Sequence, residues 1–61
     1  MNPIKIGDLV LYNYWNETFL GYVIDQDRNI HGEVLWHVRM FKEERLFVLS
    51  EKQRGKTWDL A

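Results

Sequence analysis

A chain of 61 residues without a single cysteine has to hold its fold by packing alone, since neither a disulfide nor a cysteine-ligated metal is open to it. A 60-residue domain buries only ~60% of the surface its unfolded chain exposes, so the quality of the core decides whether there is a fold at all. Three Trp, three Tyr and three Phe answer that need. Each aromatic side chain removes ~150–250 Å² from water while freezing few rotatable bonds. Apolar residues make up 46% of the chain and the net charge is −1, which is far from the low-hydrophobicity, high-charge regime of disordered segments. One small folded domain over residues 1–61 is expected.

The same economy removes most catalytic machinery. A thiol nucleophile is excluded. Ser50 is the sole serine and lies between Leu49 and Glu51 with no glycine beside it, so there is no nucleophile elbow. The only histidines are His31 and His37, and no glycine-rich phosphate loop or dinucleotide fingerprint occurs. A domain of this size leaves little room for the ~300–1,000 Å³ of a usual ligand pocket. No enzymatic activity and no cofactor are expected. Asp25-x-Asp27-x-Asn29 copies the first half of a calcium loop, but Ile30 stands where the sharp turn needs glycine and Trp36 where a bidentate glutamate belongs. No metal site is expected.

No apolar run exceeds the four residues of Leu9 to Tyr12, against the ~18 or more of a spanning helix. Asp8 and Asn13 interrupt the stretch where a secretory segment would be continuous. A cytoplasmic, membrane-free protein is expected, and Asn16-Glu17-Thr18 reads as a chance glycosylation match.

Strand periodicity dominates the rest. Pro3 favours an extended Asn2, and Ile6-Gly7-Asp8 forms a turn into the first strand. Leu9 to Trp15 alternates Val10, Tyr12 and Tyr14 against Leu9, Leu11, Asn13 and Trp15. Asn16-Glu17-Thr18 is the expected connection, and Phe19 to Asp25 the second strand. Gly21 inside that strand signals a bend, a bulge or close approach of another backbone. Asp25 to Gly32 reads as a polar loop, Glu33 to Phe41 as the third strand, Lys42 to Arg45 as a charged turn and Leu46 to Leu49 as the fourth strand. Ser50 is placed to cap a helical turn from Glu51, with Gln53 as capping-box partner. Gly55 ends that turn, and Lys56 to Leu60 supplies a short fifth strand. Four to five short antiparallel strands joined by polar loops read as a small all-β barrel. The competing arrangement makes residues 42–54, rich in helix formers, a helix packed on three strands.

Ile6-Gly7-Asp8-Leu9-Val10-Leu11-Tyr12, then Gly21-Tyr22-Val23-Ile24-Asp25, then Trp36-His37-Val38-Arg39, resembles the opening three strands of SH3-like small barrels. Related patterns occur in KOW and Tudor-type modules, and the whole is most similar to short tailed-phage proteins with a GDLV…GYVID…VR pattern. The resemblance covers roughly residues 4–49. It implies a barrel in which Val10 and Val23 point inward, Gly21 permits the bend and Val38 closes the core. It also implies a phage-encoded binding module. The segment 52–61 has no counterpart in that pattern.

Two sets of residues are candidates for contact. Tyr, Trp and Arg dominate binding hot spots, and aromatic grooves on such barrels receive extended peptides. Tyr12, Tyr14, Trp15, Tyr22 and Trp58 are therefore the expected protein-binding set, with Trp15 and Trp58 equally readable as plugs over the barrel ends. The partner would be a host factor or another viral component, or the chain would be a structural accessory subunit of a larger assembly. The second set serves the alternative of a KOW-like nucleic-acid or transcription-complex module, with single strands bound through stacking and basic groups: Trp36 and Arg39 with Lys52, Arg54 and Lys56. Bulk charge gives that reading little support. Residues 1–30 carry a net −2 and residues 31–61 a net +1, and three clustered positive charges neutralise few phosphates.

Overall fold

The computed structural model describes residues 3–61; the expected extended Asn2 lies outside them. Five strands follow one another as β1 (Leu9–Tyr14), β2 (Glu17–Arg28), β3 (Val34–Met40), β4 (Leu46–Ser50) and β5 (Trp58–Leu60), with a 3-10 helix over Glu51–Gln53 between the last two. They form one antiparallel sheet in the order β4-β3-β2-β1-β5. The fold is all-β, as the periodicity implies. The alternative helix over residues 42–54 is replaced by β4 and the single 3-10 turn. Phe47, Val48 and Leu49 gain cross-strand partners on β3 that outweigh the helix propensity of their charged neighbours.

The chain enters β1 through a turn in which Gly7 takes a φ of 97°, a left-handed conformation that costs glycine little. The Asp8 N–H donates to the Lys5 carbonyl and the Asp8 carboxylate accepts from the Lys5 N–H at 2.9 Å. From there, alternation sorts the side chains. Val10, Val23 and Val38 are fully buried, joined by Ile4, Trp36, Met40, Leu49 and Trp58. At Gly21 an added Cβ would lie 2.6 Å from Met40 Sδ and 2.8 Å from the Arg39 carbonyl oxygen, so β2 and β3 meet there only because the side chain is missing.

Several expected boundaries move: β3 loses one residue at each end, β4 takes in Ser50, β5 starts at Trp58 rather than Lys56, and the largest shifts fall at the two ends of β2. The β1–β2 connection is a two-residue turn at Trp15 and Asn16, with φ of 51° and 62°, between the paired residues Tyr14 and Glu17. Two positive φ values are the mark of the type I′ turn that suits a right-twisted hairpin. Trp15 thus leaves the strand, while Glu17 and Thr18 join β2. At its other end β2 continues through Asp25 to Arg28, which had read as loop. A bulge between Val23 and Asp25 resets the register, after which Gln26 faces Trp36 and Arg28 faces Val34. Pairing with β3 overrides the turn-forming composition of these residues. The loop proper, residues 29–33, is organised by the Asn29 side-chain oxygen, which accepts from the N–H groups of His31 and Glu33.

The sheet curls until its two ends meet. The Trp58 indole N–H donates to the Ser50 carbonyl at 2.8 Å, tying β5 to the end of β4. Tyr12 of β1 packs edge-on against Phe47 of β4 at 5.4 Å. This five-stranded antiparallel globule is consistent with a small SH3-like fold. No helix among the described residues is long and apolar enough to cross a membrane.

Candidate protein-binding surface

The inner face of β1 runs past the end of the core. Val10 is sealed inside, Tyr12 is half-buried against the core cluster, and Tyr14 emerges into solvent. The two-residue turn then projects Trp15, 81% exposed. Ring spacing makes these a continuous strip. Trp15 meets Tyr14 edge-on at 5.9 Å, Tyr14 stacks on Tyr12 at 5.9 Å, Tyr12 meets Phe47 at 5.4 Å, and Phe47 meets Phe19 at 6.1 Å. The Arg45 guanidinium lies 5.0 Å above the Phe47 ring while bonding Glu43 at 2.9 Å. Tyr14, Arg45, Leu46 and Phe47 line a shallow depression of about 250 Å³. Such a surface offers π-faces and a cation stacked on one of them.

Of the five residues expected on the protein-binding surface, the structure brings together Tyr12, Tyr14 and Trp15. Tyr22 belongs elsewhere: it lies opposite Leu9 on the other face of the sheet and pairs with Phe41 at 5.3 Å. Trp58 is 2% exposed and hydrogen-bonded inward, so it is a core plug and not a surface anchor. Phe47, Phe19 and Arg45 complete the strip and escape a reading of the sequence alone. Their membership depends on the curl that sets β4 against β1, a contact between positions about 35 residues apart.

The nucleic-acid set is brought together in part: Trp36 and Arg54 line one depression of about 370 Å³ and both bond Glu51. Trp36 is buried, its indole N–H donating to the Glu51 carboxylate at 2.7 Å. Lys52 pairs with Glu33 at 2.8 Å. Arg54, with little of its side chain exposed, contacts Glu51 at 3.2 Å and Asp59 at 3.6 Å. Arg39 and Lys56 are exposed, with Arg39 on β3 and Lys56 in the turn before β5. The basic cluster of residues 52–56 is therefore largely absorbed in tying the 3-10 turn to its neighbours. The Lys52 ammonium holds the Glu33 carboxyl below the usual carboxylate range through its hydrogen bond, against a smaller opposing effect of burial. Ser50 caps the turn as expected, its hydroxyl accepting from the Lys52 N–H.

His37 Nε2 lies 3.6 Å from an Asp27 carboxylate oxygen across β2 and β3. Among the described residues no cluster of three or more His, Asp or Glu side chains has the geometry to hold a metal ion. Compared with family models, with curated proteins and with solved structures, the chain matches none.

Proposed function

We propose that this protein is a non-catalytic binding module that receives an extended polypeptide segment of a partner protein on the strip Trp15–Tyr14–Tyr12–Phe47–Phe19. One observation carries the reading: five aromatic rings from three strands and a turn are in serial contact and grade from core-packed to almost fully exposed. Packing explains the inner end of that series. It does not explain Trp15, which gains little burial and sits in a backbone conformation unfavourable to a bulky residue. A large apolar ring held out at a strained turn is what a recognition anchor requires. The phage origin and the host or viral identity of the partner rest on the sequence resemblance, the cytoplasmic location on the interrupted apolar pattern of the first twenty residues, and all belong to the same proposal.

Nucleic-acid binding is less favoured, because Trp36 is buried with its indole bonded to Glu51 and Lys52 and Arg54 already face carboxylates.

The test is selection of ligands from a display library of random extended peptides on the full chain, followed by affinity measurement on Trp15→Ala and Tyr14→Ala. The expected outcome is a loss of tenfold or more, about 1.4 kcal/mol, with each variant melting as a folded protein. Selected peptides that bind both variants as tightly as the parent would overturn the assignment.

A further inference from the structure

Closure of the sheet leaves part of one edge unpaired. In an antiparallel pair, residues alternate between those that exchange both backbone hydrogen bonds with the partner strand and those that turn both groups away. The Phe41 N–H donates to the Leu20 carbonyl, so on β3 Arg39 and His37 turn toward β2 while Val38 and Trp36 turn toward β4. Phe47 and Leu49 face Val38 and Trp36 and take those bonds. Leu46, Val48 and Ser50 therefore aim their N–H and C=O groups away from the sheet, on the side where β4 has no neighbouring strand. The Ser50 carbonyl fits this parity, since it accepts the Trp58 indole N–H. That bond seals the Ser50 end and leaves Leu46 and Val48 open.

Other exposed edges are treated differently. Past its bulge β2 has no partner on the β1 side. There the N–H groups of Gln26 and Arg28 donate to the carboxylates just before them, Asp25 and Asp27, each at 2.8 Å. On β5 the Leu60 N–H donates to the Asp59 carboxylate at 2.7 Å, and the Trp58 carbonyl accepts from the Gly55 N–H. Among the described residues nothing does this for the N–H groups of Leu46 and Val48. The run Leu46-Phe47-Val48-Leu49 also has neither a charge nor a proline to discourage pairing.

The open groups define what they accept. Donor and acceptor repeat every second residue, ~7 Å apart along an extended edge, and the backbone of another extended chain matches that spacing. Tyr14, Arg45, Leu46 and Phe47 line the shallow depression beside this edge. A residue set opposite Phe47 shares its face and meets that depression, while its two neighbours lie beside the exposed side chains of Leu46 and Val48.

We infer that the partner segment is held as an added strand on the outer edge of β4, hydrogen-bonded through its main chain to Leu46 and Val48. Its side chains follow the pattern apolar, aromatic, apolar: the aromatic ring lies against Tyr14 and Phe47, the apolar pair against Leu46 and Val48. Proline is excluded from the two residues that donate to the edge. The inference rests on the peptide-binding reading above and adds how the segment is held and what it carries.

Peptides selected from the display library on the full chain are the probe, each resynthesised with single backbone N-methyl groups along its length. Methylation is expected to cost roughly tenfold or more in affinity at the two alternate residues that face Leu46 and Val48, and little at the residue between them. Deuterium exchange of the Leu46 and Val48 amide protons, fast in the free chain, is expected to slow on binding. Peptides that bind and lose affinity with Trp15→Ala, yet show no period-two response to methylation and leave both amide protons exchanging as before, overturn this inference while the binding reading stands. A chain on which no peptide can be selected overturns both. Amide protons of Leu46 and Val48 already protected in the free chain, through pairing of β4 with a second copy, overturn it as well.

Discussion

Trp15 and Trp58 are the same residue type put to opposite uses, and the difference is set by backbone and partner. Trp15 holds a φ of 51°, in a region that costs an ordinary residue roughly 1–2 kcal/mol, whereas asparagine visits it readily. Trp15→Asn is therefore expected to stabilise the fold by about 0.5–1 kcal/mol while weakening peptide binding, a trade between stability and function that paired urea titrations and affinity measurements detect. Trp58 does the reverse. Trp58→Phe keeps a ring but strips the Ser50 carbonyl of its indole donor and leaves a void, at a cost of about 1–3 kcal/mol. Trp58→Ala, at about 3–5 kcal/mol, consumes much of the roughly 3–9 kcal/mol total open to a domain this size. Its circular dichroism at 37 °C is expected to be that of a largely unfolded chain. Composition could not separate the two tryptophans. Trp58 sits in a polar stretch, Lys56-Thr57-Trp58-Asp59, that resembles an exposed tail, and only the pairing of β5 with β1 turns its ring inward.

Between elements, close approach and charge pairing do the locking. Gly21 lets β2 run against β3, and Gly21→Ala places a methyl group 2.8 Å from a backbone oxygen. Trimming Met40 cannot relieve that contact, so a loss of about 1–3 kcal/mol, seen as a lower urea midpoint, is expected even in the Met40→Ala background. The β2–β3 loop is fastened to the 3-10 turn by Glu33 and Lys52. Because the folded-state pKa of Glu33 is lowered, the carboxylate favours folding above its ordinary pKa. That contribution fades as pH falls through the folded value. A carboxyl-carbon NMR titration is expected to place Glu33 below the usual glutamate range in the wild type and to return it toward that range in Lys52→Ala. These elements were legible to different degrees. Val10, Val23 and Val38 are buried and Gly21 meets β3 closely, as the small-barrel resemblance implies, each within the strand expected for it, although β2 outruns its expected span at both ends. Asp25–Arg28 is less legible: its turn-forming side chains point to solvent while its backbone pairs, and backbone pairing leaves no mark on composition. The two-residue turn is equally hidden, because tryptophan is among the last residues that turn chemistry would nominate for a positive φ.

At the scale of the whole molecule, one sheet is curled until β5 and β4 meet, leaving two apolar surfaces on opposite sides. The inner one overflows the core as the aromatic strip. The outer one carries Leu9, Leu11 and Leu20 with Phe41, and Leu46 and Val48 farther along on β4. The aromatics left exposed are Tyr14 and Trp15 at the β1–β2 turn and Phe41 just after β3. The sequence shows that such a surplus exists. It does not show which rings share a surface, since Tyr12, Phe47 and Phe19 come together only through closure of the sheet, and closure depends on contacts distant in the chain. The same closure takes Lys52 and Arg54 out of the basic cluster their spacing suggests and gives them to Glu33, Glu51 and Asp59.

The chain's three tryptophans allow a direct test of the central claim, that the strip headed by Trp15 is where a partner segment docks. With 5-fluorotryptophan incorporated, the protein gives one fluorine resonance per indole: Trp15 at the tip of the strip, Trp36 and Trp58 in the core. Titration with a peptide selected for binding is expected to shift the Trp15 resonance progressively to saturation while the other two hold their positions. Saturable binding, measured calorimetrically on the same sample, that leaves the Trp15 resonance unmoved would contradict it.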